Sequence, residues 1–163
     1  MTVLNITTQQ HYALNDLYAI CNYVANSNST RRDLIYGSNV SMFYPAEDME
    51  LVKKVFHQEN GRACFHIVLS LEENDPINLS DFKMLSVRVC DLIANFYGNY
   101  QVLMAVHINT DNLHTHFASN NIDFTTGKRM DFNLAKLDEI KRQINNVLNE
   151  YNVSLIKVYD APV

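Results

Sequence analysis

Three of the six histidines fall in one short stretch of the chain, at His107, His114 and His116. Neutral imidazole is the commonest side-chain ligand of metal ions in proteins, and a set of three leaves coordination positions for water or substrate. Three imidazoles brought to one place are costly to pack unless they bind something. The spacing therefore predicts a three-histidine metal centre, and the alternative is a set of ordinary polar residues on a solvated face.

The sequence around these histidines predicts a β-hairpin. Apolar residues precede His107, a second strand-like run begins before His114, and the turn-forming sequence NTDN lies between the two. Side chains alternate between the two faces of a strand, so His114 and His116 point the same way. His107 ends the first strand and meets them across the hairpin.

The rest of the chain reads as alternating helices and strands. Apolar residues at helical spacing predict helices, and short apolar or alternating runs bounded by turn residues predict strands. The predicted helices cover residues 10–26, 45–58, 79–96 and 133–151, and the predicted strands cover residues 1–6, 33–37, 62–71, 102–106, 113–122 and 153–159. This order indicates an α+β fold, with helices packed on one antiparallel or mixed sheet.

Three histidines alone are compatible with a hydrolase, an oxygenase or a structural zinc site, but the wider stretch VHINTDNLHTHFASNN is more specific. It resembles the histidine motif of relaxases, the HUH-type nucleases that nick plasmid transfer origins. The family pattern runs roughly H-x-D-T-D-x-x-H-x-H-x-x-x-N, and the residues that match it are His107, Asp111, His114, His116 and Asn120. Asn109 departs from the pattern, because the family usually has an aspartate there.

The resemblance implies a nucleophilic tyrosine near the N-terminus, upstream of the histidines. The sequence AICNYVANSNST at residues 19–30 resembles the family's nucleophile segment, and the match continues through residues 34–39. We therefore predict that Tyr23 is the nucleophile, at the edge of the apolar stripe of the first predicted helix. Tyr12 and Tyr18 also lie off that stripe and remain competitors.

Further residues receive supporting roles. Asp111 is predicted to orient or polarise a ligand histidine. Asn120, in line with the histidines, is predicted to form a hydrogen bond with a ligand histidine or a phosphate. The alternative is that Asn120 is an ordinary polar residue exposed to solvent. His66 is interpreted as a core histidine, as lone strand histidines usually are. The basic pairs predicted to form a small DNA-contacting rim are Arg31-Arg32 and Lys128-Arg129.

The composition is typical of one globular domain, which we assign to residues 1–163. The hydrophobic fraction is 47%, no apolar run is long enough to span a membrane, and no signal peptide is evident. The three cysteines are isolated and odd in number, which favours a reducing, cytoplasmic location. The formal net charge of -5 counts against nucleic-acid binding, because phosphate contacts favour basic surfaces.

The resemblance implies a MobA/VirD-like plasmid mobilisation nuclease domain. Its expected fold is a two-layer sandwich with a central antiparallel or mixed five-stranded sheet. Its expected activity is metal-dependent nicking and rejoining of single-stranded DNA at a transfer origin, with Mn²⁺ or Mg²⁺ at the histidines and a 5'-phosphotyrosine intermediate. The expected partners are origin DNA and accessory mobilisation and coupling proteins, with no membrane.

Three alternatives stay open. Replication initiators and transposases of the same nuclease class share the chemistry, but they place the histidines before the tyrosine, whereas Tyr23 precedes His107. A three-histidine metalloenzyme of another class would need a small-molecule pocket. The third alternative is a truncated, inactive relaxase that still binds DNA, because relaxases are usually longer than this chain.

Overall fold

The computed structural model describes residues 1–7 and 13–159, and this part of the chain contains five strands and four α-helices. The strands are β1 (Val3–Ile6), β2 (Ile35–Ser38), β3 (Cys64–Ser70), β4 (Val102–His107) and β5 (His114–Asn120). The helices are α1 (Leu14–Val24), α2 (Pro45–Val55), α3 (Leu79–Ala94) and α4 (Leu134–Glu150). The part of the first predicted helix at residues 10–12 lies outside the described residues.

The five strands form one sheet in the order β1-β3-β5-β4-β2, and every neighbouring pair is antiparallel. The predicted hairpin is β4–β5, which stands at the centre of the sheet, and His107 lies directly opposite His114 in its register. Strand β3 is the other neighbour of β5, with Val68 opposite His116. The α+β class and the five-stranded antiparallel sheet are therefore confirmed.

Successive side chains of the central strands point to opposite faces of the sheet, and both faces are apolar. Val102, Met104 and Val106 of β4 pack in the larger cluster with residues of α3 and α4. Leu103 and Ala105 face the opposite way and pack with residues of α1 and α2. Because helices cover both faces, the molecule has three layers, and the expectation of a two-layer sandwich needs that correction.

Residues that favour a helix N-terminus stand where three of the helices begin. Pro45 occupies the first position of α2, where its missing N–H costs nothing. The side chains of Asn78 and Asn133 cap α3 and α4 by accepting a backbone hydrogen bond three residues on. None of the helices in the described residues is both long and apolar enough to cross a membrane.

The strand predicted at residues 153–159 is wrong, because this segment makes only one isolated bridge, between Thr2 and Ile156. The side chain of Asn145 on α4 accepts from the Ile156 N–H at 2.7 Å and donates to the Ile156 carbonyl at 2.9 Å. Those are the backbone groups that a strand ladder would have used. The strand predicted at residues 33–37 likewise begins with a 3-10 turn at Arg32–Leu34 before β2.

Candidate metal centre and nucleophile

The three predicted histidines meet at one end of the central hairpin. His107 is the last residue of β4, His114 is the first residue of β5, and His116 follows on the same face. One ring nitrogen from each lies within 4.8 Å of the others, which is a spacing that one metal ion can bridge. His107 and His116 are 1% and 6% exposed, while His114 is half-buried at the mouth of the cluster.

Hydrogen bonds select which nitrogen of His107 and His114 remains available. His107 Nε2 lies 2.9 Å from the carbonyl oxygen of Val24, and His114 Nδ1 lies 2.9 Å from that of Asn112. A carbonyl oxygen only accepts, so each of these nitrogens carries the hydrogen. The lone pairs therefore remain on His107 Nδ1 and His114 Nε2, and the bound carbonyls fix both rings, as in known metal sites.

His66 on β3 completes the cluster, although the sequence prediction treated it as a core histidine. Its Nε2 atom lies 2.8 Å from His116 Nδ1, and the two rings stack with centroids 5.1 Å apart. His66 lies opposite Ala118, so it is the diagonal neighbour of His116 on the same face. When His116 Nδ1 donates to His66, the lone pair of the ring remains on His116 Nε2, which is then the nitrogen available to a metal ion.

The surroundings lower the pKa of two histidines of the cluster, His116 and His107. Burial, together with the neighbouring imidazoles of His107, His66 and His114, lowers the pKa of His116 to about 3. Burial also lowers the pKa of His107, partly opposed by the hydrogen bond to Val24. Metal binding needs neutral imidazoles, so the residues present fit a divalent transition-metal ion.

The structure brings Tyr23 to this cluster. Its ring centroid lies 5.3 Å from that of His116 and 5.8 Å from those of His107 and His66. The buried stripe of α1 points into the sheet, which leaves Tyr23 at the last turn of the helix, beside the histidines and 49% exposed. An exposed phenol next to a set of metal ligands is accessible to a bulky substrate.

Tyr18, the competing tyrosine on α1, has a different environment. Its hydroxyl donates to the Glu50 carboxylate at 2.5 Å, and this hydrogen bond, with burial, raises the pKa of Tyr18 to about 12. A phenol that is harder to ionise is the poorer nucleophile. Tyr12 lies outside the described residues.

Asp111 lies in the loop of the hairpin. Within the described residues, its carboxylate forms no hydrogen bond with a histidine. Carbonyl groups of Val24 and Asn112 do the orienting instead. Asp111 lines an open depression of about 570 Å³ together with Glu73, Asn112 and His114. The structure therefore places this carboxylate beside the mouth of the cluster rather than behind a ligand.

Asn120 shares a face with His114 and His116 but sits at the far end of β5, about 13 Å beyond His116 at the rise of a strand. It is fully buried, and its amide group donates to the Met49 carbonyl at 3.3 Å and to Gln101 Oε1 at 3.0 Å. Both amide hydrogens are thus engaged inside the protein. This arrangement does not offer Asn120 to a metal ligand or phosphate.

The two basic pairs do not form one rim. Arg31 and Arg32 are exposed on the segment that follows α1. Lys128 and Arg129 lie beyond the Asn120 end of β5, where Arg129 bridges to Ile122 and its guanidinium donates to the carbonyls of Gln58 and Asn60. The two pairs therefore lie at opposite ends of the central strands, and only the first pair neighbours the histidine end.

Comparison with known proteins gives a family match over most of the chain. The family model described as "Relaxase: MobA/VirD2-like, nuclease domain" matches residues 12–153. Two Staphylococcus aureus proteins named Protein rlx are similar, at 23% identity over 119 residues and 22% over 141 residues. Those alignments cover 73% and 81% of this chain but only 36% and 42% of the relatives, so the chain spans less than half of their length.

Two further matches have lower coverage or lower identity. Protein TraI of Escherichia coli is 25% identical over 113 residues, which is 66% of this chain and 15% of that protein. A solved structure reported as "Molecular Basis of Vancomycin Resistance Transfer in Staphylococcus aureus" has a TM-score of 0.66 at 15% identity, covering 99% of this chain and 100% of that chain. At this identity the likeness shows the fold alone.

Proposed function

Because the chain belongs to the family of MobA/VirD2-like relaxase nuclease domains, we propose that it nicks and rejoins single-stranded DNA at the transfer origin of a plasmid or conjugative element. Tyr23 is the proposed nucleophile, and His107, His114 and His116 are the proposed ligands of a divalent metal ion. The observation that carries this proposal is the half-exposed ring of Tyr23, 5.3 Å from His116 at the edge of the histidine cluster.

The ligand set supports a metal ion of a particular kind. All three donors are imidazole nitrogens, and such sets suit transition-metal ions better than Mg²⁺, which prefers oxygen. We therefore propose Mn²⁺ ahead of Mg²⁺ as the native ion. Held by these histidines, the ion would supply positive charge to the non-bridging oxygens of a bound phosphate.

In the proposed reaction, the phenolic oxygen of Tyr23 attacks phosphorus. A tyrosine–phosphorus bond forms, the bond from phosphorus to the 3'-oxygen breaks, the phenol gives up its proton, and the departing oxygen takes one up as a 3'-hydroxyl. The 5'-phosphotyrosine preserves the bond energy, so rejoining is the reverse step and needs no nucleotide cofactor. The packing of α1 on the sheet holds the phenol beside the phosphate site, which lowers the entropy cost of the attack.

The shape of the site supports a polymeric substrate. His114 opens onto the depression of about 570 Å³ that Asp111 also lines, and this depression is open to solvent. An open surface fits a chain molecule better than the enclosed pocket expected for a small-molecule metalloenzyme. Within this proposal Asp111 orients water or DNA at the mouth of the site. Arg31 and Arg32 contact the DNA strand on the α1 side of the site.

Covalent capture tests the proposal without requiring one particular origin sequence. The protein is incubated with Mn²⁺ and a random-sequence pool of single-stranded DNA, and denatured protein is analysed for attached DNA by gel shift and mass spectrometry. The expected adduct maps to Tyr23 and disappears in Tyr23→Phe. Tyr18→Phe is the matched control, because it removes a phenol from the same helix and should leave the adduct in place.

An adduct that persists in Tyr23→Phe would overturn the assignment of the nucleophile. Metal binding with no adduct from the random pool or from any transfer-origin oligonucleotide would support the inactive, DNA-binding alternative. Accessory mobilisation and coupling proteins belong to the proposal, and co-purification from a cell that transfers the element tests them.

A further inference from the structure

Two large aromatic side chains stand exposed on the turn that leads into α2. Phe43 is 61% exposed and Tyr44 is 66% exposed. Adjacent exposed aromatic residues cost solubility and are uncommon on a surface that binds nothing. Their position outside both apolar clusters shows that they do not serve the core.

The turn holds these two residues in a fixed arrangement. The hydroxyl of Ser41 accepts hydrogen bonds from the backbone N–H groups of Phe43 at 3.1 Å and Tyr44 at 3.3 Å. The Ser41 N–H in turn donates to the Asp48 carboxylate at 2.8 Å. The aromatic rings therefore extend from an ordered backbone, which lowers the entropy lost when a ligand stacks on them.

Arg32 adds positive charge to this surface. Its guanidinium carbon lies 5.2 Å from the centre of the Phe43 ring, in cation–π contact. The neighbouring Arg31 forms a salt bridge with Asp33, whereas no carboxylate in the described residues forms one with Arg32. The charge of Arg32 thus remains available to an anion.

Two hydrogen bonds connect the Arg32 segment to the strand that carries His107. The hydroxyl of Thr30 donates to the Val106 carbonyl at 2.6 Å, and the Ile108 N–H donates to the Ser29 carbonyl at 2.8 Å. Chain geometry then keeps the Cα atom of Arg32 within about 20 Å of that of His107. A single strand that binds at the histidines can reach this surface within a few nucleotides.

We propose that Phe43, Tyr44 and Arg32 form a stacking platform for single-stranded DNA, in which the aromatic rings stack on bases and the guanidinium pairs with a phosphate. Aromatic stacking beside a basic side chain is the usual way in which proteins hold single strands. The inference rests on the proposed function, because continuity with the nicking site identifies the ligand.

Equilibrium binding measured apart from cleavage tests the platform. The host protein is Tyr23→Phe in EDTA, and the probe is a fluorescein-labelled single-stranded oligonucleotide recovered as an adduct or, failing that, a mixed-sequence one. Anisotropy should show that Phe43→Leu with Tyr44→Leu weakens binding by roughly 5- to 100-fold, as expected for the loss of base stacking. Phe43→Trp with Tyr44→Trp should restore it.

Tyr97→Leu is the matched control. Tyr97 is 63% exposed and lies in cation–π contact with Lys136, but it follows α3 on the opposite face of the sheet. Its replacement should leave DNA affinity unchanged. In a second measurement, 2-aminopurine replaces a base at successive positions of the oligonucleotide. Stacking on Phe43 and Tyr44 should quench its fluorescence at one or two of these positions, and the leucine variant should show no such quenching.

The outcomes separate this inference from the proposed function. If the wild-type protein forms the Tyr23 adduct but the leucine variant binds DNA as tightly as the Tyr23→Phe host protein does, the platform is refuted and the nicking proposal stands. If the wild-type protein forms no adduct and the Tyr23→Phe host protein binds no single-stranded DNA, both are refuted. If the leucine substitutions change only the oligomeric state, the surface is a protein interface and the platform is refuted.

Discussion

The two ends of β5 carry polar side chains on the same face of the sheet, but the hydrogen-bonding groups of these side chains find their partners differently. At the Asn120 end, the buried amide has partners for both of its hydrogens, and the neighbouring Lys53 donates to Asn121 Oδ1 at 2.8 Å. At the histidine end, His107 and His114 each use one ring nitrogen in a hydrogen bond to a carbonyl, and within the described residues the other nitrogen has no such partner.

This difference indicates which end contributes to stability and which end to chemistry. A buried polar group without a partner costs about 1–3 kcal/mol, so proteins rarely retain such groups unless they bind something. The Asn120 end offsets that cost internally and is part of the architecture. The histidine end keeps its lone pairs for an external ligand, and substitutions at the two ends should therefore change different measured quantities.

Removal of a ligand at the histidine end should have the largest effect. We expect His114→Ala to lower Mn²⁺ affinity by about 100-fold or more and to reduce the DNA adduct below detection, because two imidazoles hold the ion poorly. The half-buried side chain should cost the fold no more than about 1 kcal/mol. Calorimetric titration with Mn²⁺ and urea unfolding measure the two effects, and a large loss of stability would contradict the comparison.

Asn120→Ala should show the reverse pattern. It removes the side-chain donor to Gln101 Oε1 and the second donor to the Met49 carbonyl, and it creates a small cavity, so we expect a loss of about 2–4 kcal/mol in the free energy of unfolding. Mn²⁺ affinity of the folded protein should stay within about twofold of wild type. A clear drop in that affinity would show that Asn120 acts on the site after all.

His66→Phe changes the histidine end without removing one of the three proposed metal ligands. The ring shape is kept but the partner of His116 Nδ1 is lost, so Mn²⁺ affinity should fall by roughly 10- to 100-fold, as for other residues that orient metal ligands. His66→Gln, which retains an acceptor, should recover part of the affinity. If His66 were only a core residue, both variants would change unfolding and neither would change metal affinity.

The smallest expected effect concerns Lys53 at the Asn120 end. Burial lowers the pKa of Lys53 to about 8, so the unfolded chain binds more protons than the folded one between that value and the ordinary lysine pKa. Stability should therefore rise with pH in this range, by about 1–2 kcal/mol between pH 7.5 and 9.5 relative to Lys53→Met. Parallel urea titrations of both proteins measure it, and identical pH slopes would contradict the assignment.

The sequence was most informative where the signal is local. Helical spacing of apolar residues located all four helices, and the turn sequence NTDN located the central hairpin with His107 opposite His114. These patterns arise from contacts between residues near one another in the chain, which periodicity reports directly. The segment 153–159 shows where local patterns fail. Its composition is strand-like, but it cannot reveal that the side chain of Asn145 forms hydrogen bonds with the backbone N–H and carbonyl of Ile156.

The remaining misses come from strand order. His66 reaches His116 only because β3 lies beside β5, and no local pattern specifies which strands pair across a long connection. The same reasoning applies to Lys128-Arg129, which are near the histidines in sequence but lie beyond the other end of β5. A signal for His66 did exist, since a histidine in an apolar strand is itself unusual, but it identifies no partner.

The hydrogen bond from His107 Nε2 to the Val24 carbonyl has a consequence for the timing of events at the site. Val24 ends α1 and is the residue next to Tyr23, so one imidazole connects the helix terminus to the strand. A ligand that immobilises this ring also restrains the last turn of α1, where helix ends otherwise fray. Metal binding at the histidines should therefore slow hydrogen exchange at residues 23–25, and the proposed nucleophile would become rigid only after the metal ion has bound.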